Sequence, residues 1–273
     1  MPIIMDAREF IRELERRLGG VSLPDVSRWL SKCQEWKRKY PVVLLDYFNV
    51  PDKVNSYVLA NILSKLTGEG DIVILDSGTV NATFCQAFRI GKNQRMFYAL
   101  GLGQMGYSLP ASIGAWYGGG GLKRIIPLMG DGSLQMNIQE LQTLVHYDVP
   151  IKIILLNNKS YLTIKNTQDL FFDGRYVGSE PGSGYSTPDF LKIAAAYGID
   201  AVSIANQNEL EPKLADVLKR PCPILCEVQM LEQQPIMPIS VLDKQSYTGS
   251  LLERMYPPLP EEEFQQNMII PAL

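Results

Sequence analysis

The chain has 273 residues, of which 46% are hydrophobic and 20% charged, and its formal net charge at pH 7 is −3. This composition is typical of a globular enzyme, and the absence of a basic patch argues against binding to nucleic acid. No apolar run reaches the roughly 18 residues of a membrane span. Asp6, Glu9 and Glu13 stand where a signal peptide would be apolar, so we expect a cytoplasmic protein without a membrane partner.

Helical and strand patterns alternate along the chain. A helix is predicted over residues 6–18, where Phe10, Ile11, Leu14 and Leu18 share one face, and a second over residues 29–40. With helical patterns between them, short apolar runs predict strands over residues 71–75, 96–100, 124–129, 151–156, 199–204 and 223–228. This order favours an α/β fold with an open, mainly parallel sheet of about six strands and helices on both faces.

Two polar motifs lie where two consecutive predicted strands end. Gly130-Asp131-Gly132 follows the third strand, and Asn157-Asn158 follows the fourth. The residues between them predict one helix, with an apolar face made of Ile138, Leu141, Leu144 and Val145. A right-handed crossover then brings Asp131 and Asn158 side by side at the carboxyl edge of the sheet, where ligands of open α/β sheets bind.

The chemistry of these motifs indicates a metal ion and phosphate groups. Carboxylate and amide oxygens are hard ligands, and they suit Mg²⁺ that is shared with the phosphates of a bound molecule. The helix predicted to begin near Ser133 adds backbone N–H groups and the positive end of its dipole. The sequence therefore predicts a metal-diphosphate site at this edge of the sheet.

Gly-Asp-Gly followed at this interval by Asn-Asn resembles the cofactor signature of thiamin diphosphate-dependent enzymes. The resemblance implies that Mg²⁺ is held by Asp131, by the side chain of Asn158 and by the backbone carbonyl of Ser160. It also implies that Gly132 and Ser133 contact the diphosphate. Each motif alone is weak, since Gly-Asp-Gly is most often a turn and Asn-Asn a strand end, and the spacing of the pair carries the inference.

The segment 101–115 resembles the part of acetolactate synthase and its relatives that grips the aminopyrimidine ring of the cofactor. Met105, close to Gly103, stands where that family has the methionine that wedges between the two cofactor rings. Gly78 and Thr79 lie in a turn that touches the diphosphate in the family. Acetolactate synthases usually carry Gln-His where this chain has Thr79 and Val80, so the resemblance implies a weakened or remade contact.

Substrate contacts are expected just after the Asn-Asn motif. Tyr161 is assigned to the cofactor site, and Thr163, Lys165 and Gln168 are candidates for contacts with a small 2-oxo acid. The alternative for these polar residues is a solvated loop and helix start. Acetolactate synthases place a Gly-Met pair and a tryptophan here, and this chain has Leu162, Thr163 and Thr167 instead, which indicates a different pocket.

The resemblance covers only the C-terminal, pyrophosphate-binding domain of this family. We assign residues 52–231 to that domain, 1–51 to the close of a central domain with its linker helices, and 232–273 to a proline-rich tail packed on the domain or on a neighbouring subunit. The family glutamate that activates the cofactor belongs to a pyrimidine-binding domain. We therefore expect this chain to need such a domain or subunit for activity, and to assemble as a homo-oligomer.

Two other functions compete with this interpretation. The glycines of Gly101-x-Gly103-x-x-Gly106 also match the fingerprint of a dinucleotide-binding oxidoreductase, after an apparent strand and before a helix. That hypothesis leaves Met105 and the Asn-Asn motif unexplained. A non-catalytic module that keeps the fold would be expected to have lost a metal ligand, and none of the three is lost here.

Overall fold

The computed structural model describes residues 2–22, 24–240 and 255–269. The contacts divide the chain into two units, residues 1–41 and 42–273. The first unit contains helix α1 (Ala7–Leu18) and helix α2 (Ser27–Lys39), and Asp6 caps α1 by accepting the Arg8 N–H at 2.9 Å. Both predicted N-terminal helices are confirmed to within two residues at each end.

The second unit alternates helices with strands. Besides two short 3-10 helices, Leu45–Asn49 and Pro181–Ser183, its elements up to the last strand of the main sheet are α3 (Ser56–Leu66), β1 (Ile72–Leu75), α4 (Thr79–Ala87), β2 (Arg95–Tyr98), α5 (Ser108–Gly118), β3 (Ile125–Gly130), α6 (Asp131–Met136), α7 (Glu140–His146), β4 (Lys152–Asn157), α8 (Leu162–Phe171), α9 (Phe190–Tyr197), β5 (Asp200–Ile204), α10 (Gln207–Lys219) and β6 (Ile224–Gln229). All six predicted strands are confirmed, and no end differs from the prediction by more than two residues.

The six strands form one sheet in the order β2-β1-β3-β4-β6-β5, and every neighbouring pair is parallel. The predicted α/β fold is therefore correct. Strand β1 has β2 on one side and β3 on the other, so the chain moves from β1 to β2 in one direction and then crosses back past β1 to reach β3. A crevice at the carboxyl ends of such strands is the usual ligand site of an open parallel sheet.

Two hydrophobic clusters cover the two faces of the sheet. Val73 and Leu75 of β1 join the cluster beneath α3, α4 and α10, while Ile72 and Ile74 join the cluster beneath α5, α7 and α9. This alternation is the two-residue period of a strand with both faces buried. It confirms that helices lie on both faces.

The connection from β3 to β4 differs from the prediction of a single helix. It contains two helices, α6 and α7, and α6 begins at Asp131 instead of near Ser133. Asn137 ends α6, and its side-chain Nδ2 donates to the Gly106 carbonyl at 2.8 Å. The apolar residues that predicted the helix, Ile138 to Val145, all follow this break, so their spacing predicts α7 and carries no information about α6.

The chain that leaves β6 returns to the start of the domain. Val54 forms a parallel bridge with Met230, and the Met237 N–H donates to the buried Tyr57 hydroxyl at 2.9 Å. The tail also has a two-stranded pair, β7 (Ile239–Ser240) and β8 (Met255–Tyr256), and helix α11 (Glu261–Asn267). Residues 241–254 and 270–273 of the predicted tail lie outside the described residues. Within the described ranges, no helix is long and apolar enough to cross a membrane.

Lys152 at the start of β4 generates a testable pH dependence. Its side chain is 2% exposed, its Nζ donates to the Cys222 carbonyl at 2.7 Å, and burial lowers its pKa to about 8. The unfolded lysine titrates near pKa ~10.4, so between about pH 8 and pH 10 the unfolded state binds more protons than the folded state. Lys152 therefore raises the free energy of unfolding as the pH rises through that window.

The variant Lys152→Met should lose this rise. Urea unfolding at pH 7.5, 8.5 and 9.5 is expected to show the parent gaining stability relative to the variant as the pH increases. A parent-minus-variant difference that stays constant over these pH values would show that Lys152 keeps its charge in the folded chain.

Candidate functional site

A cavity of about 290 Å³ lies at the carboxyl edge of the sheet, among the segments that follow β1, β2, β3, β4 and β6. Apolar side chains, among them Val80, Leu156 and Met230, form much of its wall. Eleven of the site residues predicted from the sequence line this one cavity: Gly78, Thr79, Gly103, Met105, Asp131, Gly132, Ser133, Asn158, Ser160, Tyr161 and Thr163. The fold therefore brings together residues that span 86 positions of the sequence, from 78 to 163.

Asp131 is the most buried polar group of the cavity, with 1% of its surface exposed. Its Oδ1 accepts the Gly132 N–H at 2.7 Å and the Tyr185 hydroxyl at 2.8 Å, and its Oδ2 accepts the Lys159 N–H at 2.6 Å. Burial raises the pKa of Asp131, although these hydrogen bonds act in the opposite direction. Its hydrogen-bond partners in the described chain are all uncharged groups, so the carboxylate is suited to receive a cation.

The turn after β4 places the two asparagines in different roles. Asn157 is buried, and its Nδ2 donates to Glu227 at 2.6 Å. Lys159 has a φ of 56°, in the left-handed region that lysine seldom adopts, and this turns its N–H toward Asp131. Asn158 lines the cavity, and its Oδ1 accepts the Ser160 N–H at 3.2 Å. An amide oxygen has two lone pairs, so Asn158 keeps one for a further contact.

Asp76, directly after β1, is a structural residue that the sequence analysis did not single out. It is 1% exposed and accepts four hydrogen bonds, from Ser77 N, Gly106 N, Ser108 N and Ser108 Oγ, at 2.8–3.0 Å. These bonds fix the glycine-rich segment that carries Met105 against the turn that carries Gly78. The sequence signal was an acidic residue at a strand end, which alone does not reveal partners about 30 positions away.

Gly106 cannot be replaced without a rearrangement. Its φ is 78°, and a Cβ there would lie 2.7 Å from the Met136 Cβ. The same residue receives the Asn137 side chain on its carbonyl. The glycine-rich segment therefore packs directly on the break between α6 and α7.

Tyr161 lines the cavity beside Gly132, and its ring packs on that of Tyr185. Their ring centroids are 4.4 Å apart, and a Cβ on Gly132 would lie 2.1 Å from Tyr161 Cε1. Tyr185 is 7% exposed, and burial next to Asp131 raises its pKa above the usual range, so its hydroxyl is a hydrogen-bond donor. Tyr185 was not predicted, because it comes from a loop without a recognisable motif.

The three predicted substrate residues separate in the structure. Thr163 lines the cavity, and its Oγ1 would be 3.5 Å from a Cβ on Gly78. Lys165 is buried and pairs with Glu180 at 2.5 Å, and Gln168 donates to the Val177 carbonyl at 3.1 Å. Lys165 and Gln168 therefore anchor the loop before α9, and their contact with a substrate stays a prediction.

Comparison with known proteins identifies the family. Residues 76–228 match the model of the family described as thiamine pyrophosphate enzyme, C-terminal TPP binding domain. The chain belongs to this family. The resemblance seen in the sequence is confirmed, and with it the cofactor, thiamin diphosphate with Mg²⁺.

Acetolactate synthase large subunits are among the relatives of this thiamin diphosphate-binding domain. The large subunit of Porphyra purpurea is 31% identical over 242 residues, which are 87% of this chain and 39% of the relative. The isozyme 3 large subunit of Escherichia coli (strain K12) is 30% identical over 230 residues, which are 81% of this chain and 38% of the relative. A probable large subunit of Methanocaldococcus jannaschii is 30% identical over 244 residues, which are 87% of this chain and 40% of the relative. The chain thus spans about two fifths of the length of these relatives.

The donor set of the cavity fits this cofactor. Ser160 Oγ and Ser56 Oγ are buried without a hydrogen-bond partner in the described chain, and both residues line the cavity. Buried hydroxyls of this kind have an unmet capacity to donate to an anion such as a phosphate. In the ranges that the structure covers, no three His, Cys, Asp or Glu residues cluster as a metal cage. Mg²⁺ commonly binds phosphorylated ligands through one or two carboxylates together with the phosphate oxygens, and this cavity has one carboxylate beside groups that can donate hydrogen bonds to a phosphate.

The role of Asp76 can be tested by its amide analogue. Asp76→Asn places an NH₂ group among N–H donors, so it is expected to reduce the free energy of unfolding by about 1–3 kcal/mol. Urea unfolding measures this, with the exposed Asp52→Asn as a control that should change stability by less than about 0.5 kcal/mol. Equal effects of the two substitutions would contradict the proposed fixing of the glycine-rich segment.

The close contact between Gly132 and Tyr161 predicts coupling between the two positions. Gly132→Ala should destabilise the chain by about 1–3 kcal/mol, because the new methyl group overlaps the Tyr161 ring. The double variant with Tyr161→Ala removes the overlap, so its cost should be smaller than the sum of the single costs. Strictly additive free energies of unfolding would show that the ring moves aside without cost.

Proposed function

We propose that this domain supplies the diphosphate-binding half of the active site of a thiamin diphosphate-dependent decarboxylase or carboligase that acts on small 2-oxo acids. The observation that carries the proposal is the meeting of three hard oxygen donors, from Asp131, Asn158 and Ser160, at one cavity. Family membership and the acetolactate synthase relatives support the same assignment.

In this proposal the Asp131 carboxylate, the Asn158 side-chain oxygen and the Ser160 carbonyl hold Mg²⁺. Gly132 and Ser133 contact the diphosphate from one side. Gly78 and Thr79 contact it from the turn after β1. None of the hydrogen-bond partners of Asp131 in the described chain is charged, and the cavity offers several uncharged donors, so a divalent cation and an anionic ligand complement each other there.

The other walls of the cavity are assigned to the reacting end of the cofactor and to the substrate. When bound, thiamin diphosphate supplies an electron sink for the loss of carbon dioxide from a 2-oxo acid. Met105 is held beside this space by the Asp76 hydrogen bonds and supports the cofactor rings. Leu162, Ile164 and Leu231 give this part of the cavity an apolar wall, and Thr163 is the polar candidate for substrate contact. The pocket is expected to differ from that of acetolactate synthases, since Thr167 replaces a tryptophan.

Completion of the site requires a second domain. The chain spans about two fifths of its relatives, and a pyrimidine-binding domain or subunit is proposed to cover the cavity and to provide the activating acid. We propose a homo-oligomer, in which the cofactor lies between subunits, and a location in the cytoplasm. Without the second domain we expect cofactor binding but no turnover of 2-oxo acid.

The dinucleotide hypothesis is disfavoured by the hydrogen bonds of the glycine-rich segment. A pyrophosphate would need the free N–H groups of that segment, but the Gly106 N–H already donates to the Asp76 carboxylate at 3.0 Å. A buried carboxylate beneath the segment also repels an anion. The alternative of a non-catalytic module is disfavoured because all three proposed metal ligands are present at the cavity.

Thermal melting of the chain with Mg²⁺ and thiamin diphosphate tests the proposal. The melting temperature should rise only when both are present, because a ligand that binds only the native state stabilises that state. At a ligand concentration of 100 Kd, the free energy of unfolding increases by about 2.7 kcal/mol. Asp131→Ala and Asn158→Ala are expected to abolish the rise. Asn166→Ala, a substitution on α8 away from the cavity, should preserve it.

Three ligand controls separate the hypotheses. Chelation of Mg²⁺ should remove the shift, and thiamin without its diphosphate should give none. A shift with NAD in place of thiamin diphosphate would support the dinucleotide hypothesis instead. An undiminished shift in Asp131→Ala would overturn the assignment of the metal ligand.

A further inference from the structure

We propose that Tyr185 is a positioning residue that makes Asp131 a one-oxygen ligand and thereby favours Mg²⁺ over Ca²⁺. This inference rests on the proposed function, because it needs Asp131 to be a metal ligand. It concerns the residue that sets the preference among cations, a role that neither the family match nor the relatives assign to Tyr185.

The hydrogen bonds of the Asp131 carboxylate leave one oxygen available. A carboxylate offers about four acceptor positions, two on each oxygen. Oδ1 uses both of its positions, for the Gly132 N–H at 2.7 Å and the Tyr185 hydroxyl at 2.8 Å. Oδ2 accepts the Lys159 N–H at 2.6 Å and keeps one position. The Ser160 N–H lies close enough to the carboxylate to help lower the Asp131 pKa, but its hydrogen bond goes to Asn158 Oδ1 at 3.2 Å, which leaves the second position of Oδ2 open.

This arrangement restricts how a cation can be bound. A bidentate contact needs a free lone pair on each carboxylate oxygen, and Tyr185 occupies the second position of Oδ1. Ca²⁺ takes six to eight oxygen ligands and readily uses bidentate carboxylates, whereas Mg²⁺ is octahedral with short bonds. A carboxylate limited to one oxygen therefore suits Mg²⁺ better than Ca²⁺.

Tyr185 is held in place by contacts independent of Asp131. Its backbone N–H donates to the Glu180 carbonyl at 3.1 Å, and the Glu180 side chain pairs with Lys165 of α8 at 2.5 Å. Its ring packs on Tyr161, whose own N–H donates to the Ser179 carbonyl at 2.9 Å. The loop is thus braced against α8 and against the cavity wall, and the direction of the Tyr185 hydroxyl is fixed before any cation arrives.

Tyr185→Phe is the sharpest test, because it keeps the ring and removes only the hydroxyl. Binding of thiamin diphosphate to the full chain is measured by calorimetry while Mg²⁺ or Ca²⁺ is titrated. The variant should lower the ratio of Mg²⁺ to Ca²⁺ affinity by about tenfold, the scale of one hydrogen bond to a charged group. The affinity for Ca²⁺ is expected to stay level or to increase.

Tyr176→Phe is the matched control. Tyr176 lies in the same loop, and its hydroxyl also donates to a carboxylate, that of Asp169 on α8, away from the cavity. Its removal should leave the cation ratio of the parent chain unchanged.

Three outcomes would overturn the inference. Tyr185→Phe could weaken both cations equally, which would show that the hydroxyl only stabilises the loop. Both tyrosine variants could change the ratio alike, which would assign the effect to the loop. If the parent chain bound thiamin diphosphate without any divalent cation, the proposed metal site itself would fail, and this result is distinct from the other two.

Discussion

The hydrogen bonds of one buried carboxylate connect the loops on which the candidate site depends. Asp131 receives donors from the start of α6, from the turn after β4 and from the loop before α9. Burial of a carboxylate is costly, and the three donors offset that cost only while the three segments keep their places. The hydrogen bonds that keep the three segments folded therefore also set the geometry of the cavity.

Asp76 makes an instructive contrast with Asp131. Both follow a central strand, and both are 1% exposed. Asp76 accepts four hydrogen bonds within the chain and so acts as an internal link between two turns. Asp131 also accepts hydrogen bonds from the chain, but it lines the cavity, where a ligand can reach it. Two residues of the same type at equivalent strand ends thus differ in function through their access to this cavity.

The sequence predicted the features that depend on local periodicity and on motif spacing. Six strands, the parallel sheet and the meeting of Asp131 with Asn158 follow from apolar runs and from the handedness of a crossover. The break at Asn137 could not be predicted, because its cause is the Gly106 carbonyl, 31 positions earlier in the chain. The role of Tyr185 was not predicted for the same reason, since its hydroxyl donates to Asp131, 54 positions away, and no sequence pattern indicates this contact. Lys165 stays a polar candidate for substrate contact, and its ion pair with Glu180 is a further contact that the sequence did not indicate.

The contact between Gly132 and the Tyr161 ring has a consequence for the evolution of this family. A side chain at position 132 and an aromatic ring at position 161 compete for the same space. Homologous sequences should therefore show correlated exchanges, with alanine or serine at the first position only where the second holds a narrower or flexible residue. Replacement of Gly132 first creates the overlap with the ring, whereas replacement of Tyr161 first does not, so the pair favours the order in which position 161 changes first.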